Sequence, residues 1–287
     1  MQSKQAAALS SIIAAVFLTT MKFVVGILTS SLGIISEALH SLLDLLAALI
    51  TFVSVSLSDK PADKEHQYGH GKIENLSAFF ESILLVITCI WIIYEGVSRL
   101  VTGETAIQVT VWSYLVVLVS MGIDLSRSRM LFRAAKKHNS QALEADAIHF
   151  STDILSSAVV LLGLVCANFG YHKADAISAL GVAVIVLGIS YRLGKRAVDI
   201  LLDKVPIGLT EQIEDKLKTN KEILCYHDLK VRVAGPDTFV QVNVHLRNTT
   251  DFETVHGICS SIEEDISSSI PRCVSIVHAE PEDKQTC

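Results

Sequence analysis

Residues 32–57 read LGIISEALHSLLDLLAALITFVSVSL. This stretch is long enough to cross a bilayer as a helix, yet it carries Glu37, His40 and Asp44 in or near its apolar span. Ionisable residues inside a membrane span are expensive to insert and mark functional sites. Because His40 and Asp44 are four residues apart, a helix places them on one face with their Cβ atoms roughly 6 Å apart. The stretch therefore predicts a membrane helix whose two side chains share one ion.

The same spacing recurs in residues 144–169, EADAIHFSTDILSSAVVLLGLVCANF, which present His149 and Asp153. Two imidazoles and two carboxylates from two packed helices form the four-ligand set that Zn²⁺ prefers. A structural network of hydrogen bonds between helices is the alternative. Each ionised Asp at bilayer depth costs about 2.5 to 3.5 kcal/mol to insert, so a bound dication that neutralises both carboxylates is favoured.

The composition is that of a membrane protein. Half of the 287 residues are hydrophobic and the mean hydropathy is +0.45, too apolar for a soluble domain with this many charges. The six cysteines are scattered without a CxxC pair, which predicts reduced thiols rather than a disulfide framework or a thiolate zinc module.

Six membrane-spanning helices are predicted. They cover residues 6–28, 32–57, 73–101, 107–127, 144–169 and 174–197. Glu81 and Asp124, like Glu37, lie in these segments, and a structural role is the default expectation for each. Nearly all loop Lys and Arg residues fall on one side, with only Arg99 and Lys173 on the other, so both termini are predicted to be cytoplasmic. The transmembrane domain is expected to comprise residues 1–203.

A cytoplasmic domain is predicted for residues 204–287, where the chain becomes polar. Its pattern favours a helix at 209–218, strands at 226–234 and 238–247, a helix around 255–266 and a strand at 273–279. This αββαβ order suggests a small α+β sandwich, one sheet with helices on one face. From residue 207 onward the chain carries 14 acidic and 8 basic residues, which argues against nucleic-acid binding.

With this layout, the chain resembles the cation diffusion facilitator family of divalent-metal transporters, closest to the short bacterial type that exports ferrous iron or zinc. The resemblance spans nearly the whole chain. The residues that carry it are the His40/Asp44 and His149/Asp153 pairs, the segment DKEHQYGHGKIE at 63–74, His227-Asp-Leu, His256, and His278-Ala-Glu280-Pro. The HxxxD repeat alone is moderately specific, whereas its combination with YGHGK and six spans is highly specific.

The resemblance implies a transport site at His40, Asp44, His149 and Asp153. Some relatives have Asp in place of His40, a difference that affects the choice of metal. In the loop before the third span, one carboxylate and two imidazoles are implied as a second metal site, whereas the sequence alone fits a solvated loop equally well. These loop residues are Asp63, His66 and His70. Lys72 and Asp203 resemble the residues of a charge interlock between transmembrane helices at the membrane surface, although either fits an ordinary exposed charge.

A third site is implied in the cytoplasmic domain, where relatives hold two metals near a dimer face. Its candidates are His227, His245, His256, His278 and Glu280. Asn243 stands where relatives often place a ligand histidine, and His245 lies two residues on, on the same strand face. Glu280 replaces a frequent Asp. Exposed histidines on an acidic surface are the alternative interpretation.

The expected function is export of Zn²⁺, with Fe²⁺ or Cd²⁺ as alternatives, by a homodimer in the bilayer of a bacterial inner membrane. The family implies exchange for protons and alternation between inward-open and outward-open states. Metal ligands must lose protons to bind, which gives a reason for the coupling. Zn²⁺ is also expected as a regulator. The alternatives are a membrane-anchored metal sensor that does not transport, and Fe²⁺ or Mn²⁺ as the main substrate. An enzyme is not expected, because no general base or nucleophile motif accompanies the four ligands.

Overall fold

A computed structural model describes residues 4–28, 32–102, 111–168, 174–247 and 251–281. The first part contains six long helices. They are α1 Lys4–Leu28, α2 Leu32–Ser58, α3 Lys72–Thr102, α4 Val111–His138, α5 Gln141–Asn168 and α6 Ala174–Leu201. The predicted helices agree with these bounds within a few residues, with one exception in α4.

The exception is the C-terminal end of α4. The apolar run predicted an end at Arg127, but the helix continues to His138. The extension has a packing reason, because Leu131, Ala134 and Ala135 are buried in one cluster with residues of α1, α2 and α5. The predicted start of this helix, at residue 107, lies outside the described residues.

Helices α1, α2, α4 and α5 pack against one another: α1 on α2, α4 on α5, α1 on α4 and α2 on α5. Fully buried alanines, among them Ala7, Ala8, Ala142 and Ala147, line the contact. Side chains this small let helix backbones approach closely, which is how membrane helices associate. This packing brings α2 and α5, the two helices with the HxxxD pairs, into contact.

Four described helical stretches are long and apolar enough to cross a membrane: Lys4–Leu28, Ala38–Ser58, Lys72–Thr102 and Ile177–Leu201. The chain therefore contains a helical transmembrane domain, in agreement with the predicted fold class.

The second compact unit comprises residues 61–72 and 199–287. Its elements are α7 Leu209–Thr219, β1 Ile223–Ala234, β2 Asp237–Leu246, α8 Phe252–Ser269 and β3 Cys273–Glu280, which confirms the αββαβ order. Strands β1 and β2 are antiparallel, and β3 joins β2 in parallel through the α8 crossover. The loop 61–72 belongs to this unit, and a Cβ on Gly71 would lie 2.2 Å from the Ala234 carbonyl oxygen.

One face of the sheet is covered by the helices. Val240, Val242 and Val244 of β2 are buried in a single core with Ile262 and Ile266 of α8. Because side chains alternate along a strand, the residues between these valines lie on the opposite face, which α7 and α8 leave uncovered. That opposite face carries the histidines discussed below.

The cysteines differ in part from the prediction. Cys89, Cys259 and Cys273 are free thiols. Cys225 is disulfide-bonded, which the scattered spacing of the cysteines did not indicate.

Candidate metal-transport site

Helices α2 and α5 bring all four predicted transport ligands together. His149 Nε2 lies 3.1 Å from Asp44 Oδ1 and 3.8 Å from Asp153 Oδ2. His40 Nε2 lies 3.9 Å from Asp44 Oδ1 and 3.8 Å from Asp153 Oδ1. The i, i+4 spacing aligns each pair on its own helix, and the packing of α2 on α5 aligns the two pairs with each other.

These separations are close to those of a tetrahedral metal site. Ligand atoms at the usual zinc distances stand about 3.3 Å from one another along the edges of a tetrahedron. The four contacts above run from 3.1 to 3.9 Å, but His40 and His149 contact different oxygens of Asp153. One ligand atom each of His40, Asp44 and Asp153 lies within 4.8 Å of the others, and a movement of the His149 side chain would complete a set of four. His149 is buried while the His40 side chain is 31 % exposed, so His40 lies nearest the surface of the chain.

A buried polar network beside this group was not predicted from the sequence. Arg127 Nη2 donates to Ser11 Oγ at 2.8 Å, and the Ser11 hydroxyl donates to Asp146 Oδ2 at 2.9 Å. Arg127 Nη1 lies 3.7 Å from Asp124 Oδ1, and its guanidinium stacks 3.4 Å from the Phe150 ring centroid. Charged residues within an apolar helix were the only sequence signal for this network. The contact with Ser11 left no pattern, because Ser11 is far from these residues in the sequence.

Lys22 and Glu81 are two further buried charges in the bundle. Lys22 Nζ donates to Ser41 Oγ at 2.8 Å, one residue after His40. Glu81 is fully buried and accepts hydrogen bonds from the hydroxyls of Thr51 and Ser77. The side chain of Glu37 lies outside the described part of the chain.

Glu74 lies in the first turn of α3, beside the C-terminal end of α2, and connects four segments of the bundle. Its carboxylate accepts from Lys4 Nζ at 2.8 Å, from Ser58 Oγ at 2.9 Å and from the hydroxyl of Ser140, which lies in the turn between α4 and α5. Lys4 also binds Asp59 at 2.7 Å. Glu74 is fully buried, so this cluster links the ends of α1, α2 and α3 with that turn.

The three loop candidates are also brought together, in the second compact unit. Asp63 Oδ1 lies 3.3 Å from His66 Nδ1, and Asp63 Oδ2 lies 3.4 Å from His70 Nε2. The backbone amide of His66 donates to Asp63 Oδ1 at 2.6 Å and, with that of Glu65, holds the pKa of this carboxyl below its usual range. The loop is thus preformed around an ionised carboxylate.

Aromatic stacking fixes this loop against the sheet. The Arg232 guanidinium lies 3.4 Å from the Tyr68 ring centroid, and Tyr68 meets Phe239 edge to face. In the same unit, Lys72 Nζ binds Asp203 Oδ1 at 2.8 Å and the Leu201 carbonyl at 3.2 Å. The predicted interlock pair is therefore in direct contact.

On the uncovered face of the sheet, three of the cytoplasmic candidates meet. Glu280 Oε2 lies 3.3 Å from His227 Nε2 and 3.4 Å from His245 Nε2. His245 is 2 % exposed, and its Nδ1 donates to the Pro281 carbonyl at 2.8 Å, which leaves the Nε2 lone pair facing Glu280. Asn243 donates to the other Glu280 oxygen at 3.2 Å.

The other two cytoplasmic candidates do not join this group within the protomer. His278 is exposed and its Nε2 is 4.0 Å from Glu280 Oε1. His256 lies on α8, where it stacks on Phe252. Because α8 covers the opposite face of the sheet, His256 of the same chain does not reach the His227 side.

The sequence profile of the cation efflux transmembrane domain matches residues 8–202, and that of the cation efflux cytoplasmic domain matches residues 208–282. The chain belongs to the cation efflux family. This cation efflux protein is similar to the cation-efflux pump FieF of Cronobacter sakazakii, with 29 % identity over 96 % of this chain and 92 % of the relative. FieF of Citrobacter koseri is 30 % identical over the same shares. The transporter MJ0449 of Methanocaldococcus jannaschii is 31 % identical over 90 % of this chain and 91 % of its own.

Family membership agrees with the geometry of the bundle. This cation efflux protein is an integral membrane exporter of divalent metal cations, with a helical transmembrane domain followed by a cytoplasmic domain that contains a small mixed sheet.

Proposed function

We propose that this cation efflux protein exports Zn²⁺ from the cytoplasm in exchange for protons, through the site formed by His40, Asp44, His149 and Asp153. The observation that carries the proposal is the convergence of two imidazole nitrogens and two carboxylates at 3.1 to 3.9 Å in a membrane bundle. Nitrogen ligands favour Zn²⁺ over Mg²⁺, Ca²⁺ and Mn²⁺, which prefer more oxygens and higher coordination numbers. Fe²⁺ and Cd²⁺ are the alternative substrates.

Exchange for protons follows from ligand chemistry. Zn²⁺ binds imidazole and carboxylate only when they are deprotonated, so loading releases protons and unloading leaves the ligands free to take them up. If metal is released at the outer face, protons bind there and return inward with the empty site. In this proposal the metal and protons reach the ligands past His40, whose side chain is 31 % exposed.

The proposed assembly has six membrane spans, both termini in the cytoplasm of a bacterial cell, and a domain boundary between residues 203 and 204. The match of a cytoplasmic dimer-domain profile to residues 208–282 supports a homodimer. In this proposal the loop group of Asp63 and the sheet group of Glu280 hold regulatory Zn²⁺. His256 and His278 then contribute from the second protomer or remain outside the site.

Flux of Zn²⁺ into sealed proteoliposomes tests the transport site. Asp44→Asn and Asp153→Asn each remove one ligand charge while keeping the side-chain shape, and we expect flux to fall by more than about 100-fold. Glu95→Gln, an exposed carboxylate of α3, is the matched control and should transport normally. Wild-type flux in either ligand variant refutes the assignment.

Calorimetric Zn²⁺ binding to the same purified proteins separates transport from sensing. A wild type that binds Zn²⁺ at the four ligands but carries no flux in any gradient would favour a membrane-anchored sensor. Competition of Zn²⁺ flux by Fe²⁺ and Cd²⁺ under anaerobic conditions ranks the three substrates.

A further inference from the structure

The exposed face of α4 changes character along its length. Its first half presents apolar side chains, among them Leu115 and Leu118, which are about half exposed. Its second half presents Arg129, Arg133 and Lys137, spaced four residues apart so that they form one row. The buried residues of the helix, including Asp124 and Arg127, point the other way, and the face is therefore apolar at one end and cationic at the other.

A groove of about 610 Å³ runs along this face. Gly122, Leu125 and Ser126 line its apolar end, and the three cations line its other end. A Cβ placed on Gly122 would meet no atom within 4 Å, so the groove is open at this position.

The cations of the groove have no counter-charge among the described residues. In the described part of the chain, no carboxylate forms an ion pair with Arg129, Arg133 or Lys137. In the same bundle, Arg127 lies near Asp124, and Arg196 binds Glu144. The row on α4 is thus available to an anion that the protein does not supply.

The depth of the row is set by the packing of α4 on α5. Ser128 Oγ contacts the Ala147 carbonyl at 3.1 Å and Ser151 Oγ at 2.7 Å, so it lies level with His149. From there the helix rises 1.5 Å per residue, which places Lys137 roughly 13 Å farther along the axis, near the turn into α5. Long basic side chains extend toward the headgroup layer from such positions. The cationic end therefore reaches phosphate depth while Gly122 and Leu125 stay in the hydrocarbon.

We propose that this groove binds an anionic phospholipid, with its phosphate held by Arg129, Arg133 and Lys137 and an acyl chain lying along Gly122 and Leu125. The proposal rests on the cytoplasmic orientation of this helix end given above. Basic pockets on the cytoplasmic side of membrane helices suit anionic headgroups. A soluble phosphate would use only the cationic end, and three unpaired cations repel a divalent metal.

Native mass spectrometry of the delipidated full-length protein, titrated with phosphatidylglycerol or phosphatidylcholine, tests the proposal. We expect the wild type to prefer phosphatidylglycerol by about tenfold or more. The variant Arg129→Gln/Arg133→Gln/Lys137→Gln should lose that preference. The control Lys136→Gln/Arg192→Gln/Lys195→Gln removes the same charge from exposed positions outside the groove and should keep it.

A second variant leaves all the cations in place. Gly122→Leu fills the apolar end of the groove, where nothing opposes a larger side chain, so it should fold normally and still weaken lipid retention. Equal retention of the two lipids by the wild type, or an unchanged preference in both groove variants, overturns the proposal. Complete displacement of the lipid by millimolar glycerol phosphate also overturns it, in favour of a site for soluble phosphate. Zn²⁺ flux in phosphatidylcholine vesicles checks the transport proposal separately.

Discussion

Glu74→Gln is a direct test of whether the cluster at the ends of α1, α2 and α3 holds the bundle together. Glu74 is fully buried and accepts hydrogen bonds from Lys4, Ser58 and Ser140. The amide keeps the volume and one acceptor oxygen but loses the charge. Among the described residues, Lys4 then retains Asp59, whose side chain is 38 % exposed, as its one counter-charge.

The expected loss is smaller than that of a fully broken buried ion pair. Breaking a buried ion pair by removing one partner costs about 3 to 5 kcal/mol. The remaining Asp59 contact and the retained acceptor reduce this, so we expect about 2 kcal/mol, the value of one hydrogen bond to a charged group. For a chain of this size that is a fall in Tm of roughly 4 to 8 °C.

Thermal unfolding of the detergent-solubilised protein, followed by circular dichroism, gives the measurement. Glu144→Gln is the control, because the Glu144–Arg196 pair is partly exposed and such pairs contribute less than about 1 kcal/mol. The double variant Lys4→Met/Glu74→Leu should recover part of the loss, since it removes both charges together. A Glu74→Gln protein that melts within a degree of wild type refutes the buried-pair argument.

Three further predictions concern the metal sites. His40→Asp exchanges a nitrogen ligand for an oxygen, so in a competition flux assay it should reduce the preference for Zn²⁺ over Cd²⁺ and Mn²⁺ more than it reduces flux, and an unchanged ranking at good activity contradicts this. The cytoplasmic domain from residue 206 has its own core, so Zn²⁺ binding to its monomer can be measured by calorimetry. His245→Ala should abolish this binding, whereas His256→Ala should leave it intact. The opposite result would overturn the geometry of the sheet group. Zn²⁺ flux should fall as cytoplasmic pH falls, because protons compete with the metal for the imidazoles. Flux should also rise with an inward proton gradient. A flux that responds neither to pH nor to a protonophore excludes the exchange of metal for protons.

The elements of the fold were predictable because each leaves a local pattern. The HxxxD pairs depend only on helical spacing, so His40 and Asp44 could be assigned to one face before any packing was known. The αββαβ order followed from alternation and turn residues such as Gly235 and Pro236. Local sequence patterns do not specify which helices pack against each other. The hydrogen bonds of Ser11 with Arg127 and Asp146 therefore could not be predicted, because they arise from helix packing alone.

The cytoplasmic group illustrates the same limit. His227, His245 and Glu280 come together because β1, β2 and β3 are adjacent, and strand register fixes which side chains meet. His245 lies opposite Glu280 in the parallel register, and its Nε2 faces one carboxylate oxygen while Asn243 donates to the other. His256 carries the same chemistry, but its helix covers the other face of the sheet, and no sequence pattern predicts which face a crossover helix takes.

The charges buried around the proposed transport ligands give a physical reason for the proposed exchange of metal and protons. The described carboxylates outnumber the cations there by five to two. They are Asp44, Glu81, Asp124, Asp146 and Asp153 against Lys22 and Arg127. If all of these groups were ionised, a bound dication would reduce the excess negative charge from three to one, whereas an empty site would leave all three in a buried region. Isolated charges in such surroundings are strongly unfavourable and are neutralised instead. Departure of the metal therefore favours uptake of protons by the same carboxylates and imidazoles, and return of the metal favours their release.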